Sequence, residues 1–186
     1  MSRAMSKDLK AFSCLVVADE SEEFPDALIY AGLLCRYTGW RMLMLRVIEP
    51  SDPAPWASIT EEMRRQSRDA AESLTQRFAA EAWAECGVTA EPILREGDLK
   101  PELRKLLQED TSIKLVVLAA ATPPMSPGPL ITQLGKTGGL SPRPVPVVVV
   151  PGALSRDEIR AIALPMAAAV SVESEDEESP APSSPA

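Results

Sequence analysis

Short apolar runs alternate along the chain with longer segments in which apolar residues recur every three or four positions. Apolar runs of about four to eight residues favour buried strands, whereas the three-to-four spacing favours helices with one buried face. Five runs are predicted as strands, at residues 12–18, 41–48, 88–94, 112–120 and 145–150.

The segments between these strands predict helices. Pro25 suits a first helical turn, and Gly39 and Gly87 follow two of the helical patterns as natural stops. Helices are predicted at residues 25–37, 57–86 and 99–108, a short helix precedes the fifth strand, and residues 155–163 predict a last helical turn or two.

This alternation predicts an α/β fold. Strands joined by helices of about ten or more residues form right-handed crossovers, which produce a parallel sheet with helices on both faces. The expected architecture is a doubly wound, five-stranded parallel sheet. Pro92 lies inside the third strand and has no N–H for a ladder hydrogen bond, so that strand is expected at an edge.

The domain organisation follows from the same pattern and from the charges. Residues 11–152 form the predicted domain, preceded by an extension at 1–10 and followed by a C-terminal extension at 153–170 in which a helix could form. Residues 171–186 read SVESEDEESPAPSSPA, with five acids and no base, and predict a disordered acidic tail. This tail either keeps the protein soluble or acts as an electrostatic interaction arm or a group of serine phosphorylation sites.

Composition excludes several classes of function. The chain of 186 residues has no histidine, which removes histidine-based catalysis and imidazole metal ligands. Its net charge of −8 argues against nucleic-acid and anionic-membrane partners. Three cysteines without a CxxC pair suggest a reducing compartment, and no apolar run approaches the length of a spanning helix or a signal peptide. We expect a cytoplasmic protein.

Candidate binding residues follow the carboxyl ends of the strands, where doubly wound folds bind ligands. Asp19 follows the first strand and could accept hydrogen bonds from a ribose or an adenine edge. LGKT at 134–137 invites comparison with a phosphate-binding P-loop, but the glycine that this motif needs is Leu130 here. Gly128, Gly135 and Lys136 nevertheless offer open backbone and positive charge for a phosphate.

Several of these segments together resemble the universal stress protein family, over about residues 11–152. The first strand runs into LVVADESEEF, close to the V-x-x-D-x-S of the family, and the second ends as LRVIEP, similar to L-H-V-I-x-P. REGD precedes the third helix, where the family has x-x-G-D, and PVPVVVVP resembles its C-P-V-x-V-V-P ending.

This resemblance implies a five-stranded α/β domain and a nucleotide site. ATP-binding members carry G-x2-G-x9-G-[ST] after the fourth strand. On this chain the last glycine is Gly135, the first two positions are Thr122 and Met125, and the Ser/Thr position is Lys136. A further loop glycine of the family corresponds to Gly128.

The resemblance also assigns roles around a nucleotide. It implies that Asp19 and Val47 lie around the adenosine and that Gly135 and Lys136 lie near the phosphates. Met125 replaces a glycine of the pattern, and Pro123, Pro124 and Pro127 remove amide donors from the loop. We therefore expect no cofactor and weak or absent ATP binding in the usual mode; the alternative is an altered loop that binds ATP differently or binds another nucleotide or anion.

The fifth strand predicts a dimer interface. Its valines would leave an apolar edge open, which proteins cover or pair, and the resemblance implies dimers formed through this strand. The predicted interface residues are Val145, Val147, Val148, Val149 and Val150. The alternative is that residues 155–163 or the tail cover this edge.

Three functional hypotheses remain at this point. The first is a non-catalytic regulatory or protective protein of the universal stress type, which acts as a homodimer through protein partners. The second is a member that binds ATP or AMP and hydrolyses ATP slowly through an altered loop. The third is an unrelated doubly wound protein. The sequence contains no residue set that predicts catalysis.

Overall fold

A computed structural model describes residues 12–50, 57–122 and 125–171 of the chain. The predicted N-terminal extension at 1–10, the loop prolines Pro123 and Pro124, and the acidic tail after Ser171 lie outside the described residues. Among the helices in the described ranges, none combines the length and the apolar character needed to cross a bilayer.

Strands and helices alternate in the predicted order. The strands are β1 (Ser13–Val17), β2 (Arg41–Ile48), β3 (Ala90–Glu96), β4 (Ile113–Ala120) and β5 (Val147–Pro151). The helices are α1 (Phe24–Thr38), α2 (Ala57–Cys86), α3 (Leu99–Glu109), α4 (Pro129–Thr137) and α5 (Arg156–Ser171).

The sheet has five parallel strands in the order β3-β2-β1-β4-β5. The direction of winding reverses between β1 and β4, so a crevice opens beyond the carboxyl ends of these strands. The predicted fold class is confirmed. β3 lies at an edge of the sheet, as its internal Pro92 predicts. Proline has no N–H to donate, and at an edge strand the sheet need not lose a hydrogen bond because of it.

Two hydrophobic layers lie on opposite faces of the sheet. Side chains of β1 alternate between them: Cys14 and Val16 face α1, α2 and α5, whereas Leu15 and Val17 face α3 and α4. This alternation follows from the two-residue period of a strand. From Cys14 to Val17 both faces of β1 are apolar, because helices cover both.

β5 forms the other edge. Pro146 accepts from the Val116 amide and Gly152 donates to the Ala120 carbonyl, so even-numbered residues of this strand bond to β4. The N–H and C=O groups of Val147 and Val149 therefore point away from β4, along the free edge. Val148 and Val150 contribute side chains to the layer with α1, and Val145 and Val147 pack against the other layer.

α5 is longer than the helical turn or two expected at residues 155–163, since it continues to Ser171. Ser155 and Glu158 form a capping box: the Ser155 amide donates to Glu158 at 2.8 Å, and the Glu158 amide donates to the Ser155 hydroxyl at 3.3 Å. Arg160 then pairs with Glu85 of α2 at 3.1 Å. These contacts, with the buried Ile159, attach α5 to the domain.

A single arginine joins three segments on the face with α3. The guanidinium of Arg143 donates to the carbonyl oxygens of Leu107 at 2.8 Å, Ile113 at 3.1 Å and Asp110 at 3.3 Å. Carbonyls in the last turn of a helix lack partners within it, so Arg143 satisfies the end of α3 and fixes the chain that leads to β5.

The three cysteines are buried on the face with α1 and have free thiols. Cys86 packs so close to Gly32 of α1 that a Cβ added at Gly32 would lie 2.7 Å from its sulfur. Burial raises the pKa of Cys86 to about 11, and a hydrogen bond with Cys35 and burial raise the pKa of Cys14 well above its usual value. Buried free thiols of this kind act as small packing groups of the core.

Candidate functional site

A cleft of about 920 Å³ opens beyond the carboxyl ends of β1, β2 and β4, at the point where the sheet reverses its winding. The sheet and the residues directly after its strands contribute part of the apolar lining, through Val17, Ala18, Val47, Leu118 and Ala119. Leu99 of α3 and Leu130 and Ile131 of α4 add to it. The N-terminal end of α4 and the loop before it form one wall, and α2 contributes Ser67, Ala70 and Ala71.

Carboxylates dominate the polar part of the cleft. Four of them follow β1 and one follows β2, and they are Asp19, Glu20, Glu22, Glu23 and Glu49. Among the described residues that line the cleft, Arg46 is the only positively charged one. Within the described part of the chain, no three histidine, cysteine or acidic side chains are placed to hold a metal ion together.

Asp19 caps its own turn. Its Oδ1 accepts from the Ser21 amide at 3.0 Å and from the Ser21 hydroxyl at 2.6 Å. Aspartate commonly makes this pair of bonds to a residue two positions ahead in a turn. One oxygen is thus engaged in holding the turn between β1 and α1, and Oδ2 is the oxygen left to accept from a ligand.

Arg46 on β2 is held by Glu20. The two side chains pair at 2.5 Å, and the Arg46 side chain is 20% exposed against 70% for Glu20. Nε of Arg46 is buried and has no hydrogen-bond partner among the described residues. Because this Nε is shielded from solvent, it offers no donor to a ligand, and the adjacent carboxylate neutralises the charge of the guanidinium.

Glu23 joins the start of α1 to the ends of β4 and β5. Its Oε1 accepts from the Thr122 amide at 3.4 Å, and its Cγ would lie 2.0 Å from a Cβ added at Gly152. Glycine at 152 is thus needed for this approach. Burial raises the pKa of the neighbouring Asp26, an effect that Arg156 opposes and Glu23 increases.

The loop before α4 keeps Gly128 at the cleft but directs Met125 outwards. Gly128 has φ +103° at the N-cap of α4, a conformation that favours glycine, and its carbonyl accepts from the Thr132 amide at 3.1 Å. Met125 is 69% exposed, so its side chain lies at the rim and does not fill the cleft.

The structure brings together only some of the predicted site residues. Asp19, Val47 and Gly128 line the cleft. Gly135 and Lys136 lie in the last turns of α4, exposed, and neither belongs to the residues that line it. Lys136 instead borders a separate groove between α3 and α4.

Sequence reasoning missed Arg46 and Glu23. Arg46 sits in a strand segment, RMLMLRVI, that reads as buried core, and nothing in the chain signals that Glu20 pairs with it. The acidic segment ADESEE does indicate a carboxylate-rich tip after β1, but the contact of Glu23 with Gly152 depends on the folded packing.

No known family profile matches the sequence, and no curated protein matches it. Solved structures do. UspA from Lactobacillus plantarum matches with a TM-score of 0.63 at 16% identity, over 76% of this chain and 98% of that chain. The universal stress protein from Archaeoglobus fulgidus matches with a TM-score of 0.55 at 13% identity, over 74% and 92% of the two chains.

A universal stress protein in complex with cAMP also matches, with a TM-score of 0.51 at 16% identity, over 75% of this chain and 96% of that chain. At such identities the likeness concerns the fold. The strand order, the crevice between β1 and β4 and these matches agree on one architecture. The chain therefore has the universal stress protein fold, as the motifs in its sequence predict.

Proposed function

We propose that this chain is a non-catalytic regulatory or protective protein of the universal stress type, acting in the cytoplasm through protein partners, and that its cleft does not bind ATP in the usual mode. The observation that carries this proposal is the excess of carboxylates at the cleft. Five acidic side chains line it against one arginine, and that arginine already pairs with Glu20.

Electrostatics decides against a triphosphate here. Like charges within a few ångströms repel more strongly at a partly desolvated site than in bulk water. Preorganised cations and open amides are what normally hold phosphates. In this cleft Pro127 and Pro129 offer no amide, and Lys136 borders another surface. Among the described residues that line the cleft, Gly128 is the only glycine, so only there can a phosphate approach the backbone without meeting a side chain.

Calorimetric titration tests this proposal. We expect no heat of binding for Mg²⁺–ATP with the wild-type chain at concentrations up to about 1 mM, which corresponds to a binding free energy weaker than about −4 kcal/mol. In the variant E22Q/E49Q, which removes two exposed carboxylates that form no hydrogen bond or ion pair with other described residues, binding should strengthen severalfold. Micromolar affinity in the wild type, lost on D19A, would falsify the proposal.

A nucleotide site of altered chemistry is the second candidate, and a specific observation favours it. The cleft is large, apolar at its base, lined by Arg46 and supplied with an Asp19 oxygen. A structure with the same fold is in complex with cAMP. A ligand of low charge, such as adenosine, avoids most of the repulsion. In the same titration, adenosine binding that D19A abolishes would favour this candidate.

We further propose that the chain is a homodimer paired along β5. The support is the free edge: the N–H and C=O groups of Val147 and Val149 face away from β4. An unpaired strand edge is a template for a second chain. Pro151 lies at the next outward position and ends the row of donors, so the paired segment would be short.

Val149→Pro should convert the dimer to monomer. Proline removes an outward N–H, whereas the bonds of Val148 and Val150 to β4 stay intact, so the fold should survive. Light scattering measures the mass, and circular dichroism verifies the fold. Val149→Thr is the matched control and should remain dimeric. A wild type that is monomeric at about 100 μM, well above typical dimer dissociation constants, contradicts the edge pairing.

A further inference from the structure

A second surface of the domain is basic, in contrast to the cleft. A groove of about 570 Å³ runs between α3 and α4, and it shares no lining residue with the cleft. The positively charged residues that line it are Lys100, Arg104, Lys105 and Lys136. The other described residues of its lining are uncharged, so nothing in the groove neutralises these four.

The cations of this groove differ from the other cations of the domain. Every other lysine or arginine that the structure describes has a carboxylate, a carbonyl oxygen or an aromatic ring beside it. The groove cations form no ion pair or hydrogen bond with described residues, and all four are exposed. Four unpaired positive charges on one surface repel one another unless an anion binds there.

Two features of α3 make this arrangement unfavourable for the helix itself. Lys100 is the second residue of α3, at the end where the helix dipole is positive and where an acidic residue is preferred. Arg104 follows Lys100 by four residues, so the two like charges lie on the same side of the helix and repel each other. Charges that lower the stability of their own helix indicate that they serve a contact with another molecule.

The acids of α3 do not compensate these charges because a different arginine holds them. Arg95 of β3 pairs with Glu102 at 3.3 Å and with Glu109 at 2.6 Å. The hydrogen bond from Arg95 holds the pKa of Glu109 below its usual value, and Lys105 adds a smaller attraction. The helix thus separates its charges, with the acids towards the β3 edge and the cations towards α4.

Neither the acidic segment of this chain nor a nucleic acid suits the groove. The acids of residues 173–178 follow α5, and α5 packs with α1 on the face of the sheet opposite α3 and α4. Single-stranded nucleic acids stack their bases on aromatic side chains, and no described residue of the groove is aromatic. The net charge of −8 also repels a nucleic acid at a distance.

We propose that this groove docks an extended segment of a partner protein that is rich in aspartate and glutamate. Lys100 and Lys105 lie about 8 Å apart along α3 at about 1.5 Å per residue. Alternate side chains of an extended segment lie about 7 Å apart on one side, so successive carboxylates on that side can meet different cations. The proposal rests on the action through protein partners proposed above, and it does not depend on whether the cleft binds ATP.

Titration of the isotope-labelled full chain with a peptide of eight glutamates tests the proposal. We expect the amide resonances of residues 100–108 and 132–137 to shift, with a dissociation constant below about 1 mM. A peptide of eight glutamines should cause no shift. Raising the salt from about 0.1 M to about 1 M shortens the screening length from about 10 Å to about 3 Å, so the affinity should fall at least about tenfold.

Neutralising the groove should remove this binding. The variant K100Q/R104Q/K105Q/K136Q should weaken the affinity for the glutamate peptide at least about tenfold, because it removes every cation that lines the groove. All four side chains are exposed and make no hydrogen bond or ion pair with described residues, so the domain should stay folded. Circular dichroism verifies the fold of the variant.

A second variant of equal charge separates the groove from general surface charge. R64Q/R65Q/R77Q/K114Q also removes four positive charges, at residues outside the groove that pair with carboxylates or lie over aromatic rings. It should change the affinity for the peptide by less than about twofold, since binding depends on charges that contact the peptide. Equal weakening in the two variants overturns the proposal.

Three further results would also overturn it. The first is the absence of groove shifts with the glutamate peptide. The second is a DNA duplex that shifts the same resonances at lower concentration than the peptide, which assigns the groove to nucleic acid. The third is a larger mass of the wild type than of the groove variant in sedimentation without peptide, which assigns the groove to a second copy. None of these results changes the ATP titration of the cleft, so failure of this proposal and failure of the proposed absence of ATP binding are distinguishable.

Discussion

Replacing Arg143 by methionine should destabilise the domain by about 3 kcal/mol. The guanidinium donates to three carbonyl oxygens, of Leu107, Asp110 and Ile113, and methionine keeps only the apolar stem. Each hydrogen bond from a charged donor contributes about 1.5–3 kcal/mol, but partial exposure lets water replace some of that loss. In a domain of this size the melting temperature should fall by roughly 6–12 °C.

Urea denaturation measures this loss, and a second arginine provides the control. Arg64 on α2 is exposed and pairs with Glu61 at 3.6 Å, so R64M should change the free energy of unfolding by less than about 0.5 kcal/mol. R143K should recover only part of the stability, because an ammonium cannot reach three separate carbonyls. Equal stabilities of R143M and R64M would show that Arg143 does not hold these segments together.

Gly32→Val should cost a similar amount, about 3 kcal/mol, by overpacking the contact between α1 and α2. A Cβ at this position would lie 2.7 Å from the Cys86 sulfur and 3.0 Å from its Cβ, and both residues are buried. Helix propensity alone predicts the opposite sign, since glycine is a poorer helix former than valine by a few tenths of a kcal/mol. The steric effect is several times larger and should decide the outcome.

A double-mutant cycle identifies the cause. Cys86→Ala removes the sulfur that the new side chain would meet, so the penalty of Gly32→Val should shrink by at least about 1 kcal/mol in that background. Gly39→Ala is not a suitable control because Gly39 has φ +72°, which strains any residue with a Cβ. An unchanged penalty in the Cys86→Ala background means that the strain comes from elsewhere, not from the sulfur contact.

Much of the fold could be predicted from local features of the chain. Pro92 places β3 at an edge because a proline lacks the ladder donor, and the apolar runs predict strands that are buried on both faces. Residues at the carboxyl ends of parallel strands share one edge of the sheet, and the structure places Asp19 and Val47 in one crevice there. The length of α5 was not predictable in this way, because Pro165 interrupts the helical pattern.

The chemistry of the cleft could be predicted less well from the sequence, because it depends on contacts between distant segments. The glycines at 128 and 135 look equivalent in sequence, yet one caps α4 at the cleft and the other lies within the helix. The pairing of Arg46 with Glu20 likewise joins β2 to the turn after β1. A linear pattern predicts which residues follow a strand, but not which charges neutralise each other once the strands are assembled.

The buried thiols of Cys14, Cys35 and Cys86 have a practical consequence. Burial and the raised pKa values of Cys14 and Cys86 keep the nucleophilic thiolate scarce at neutral pH, so alkylating reagents modify these residues only when the domain opens. The rate of alkylation in native buffer therefore reports the frequency of unfolding events, in purified protein or in a crude extract, without an engineered probe.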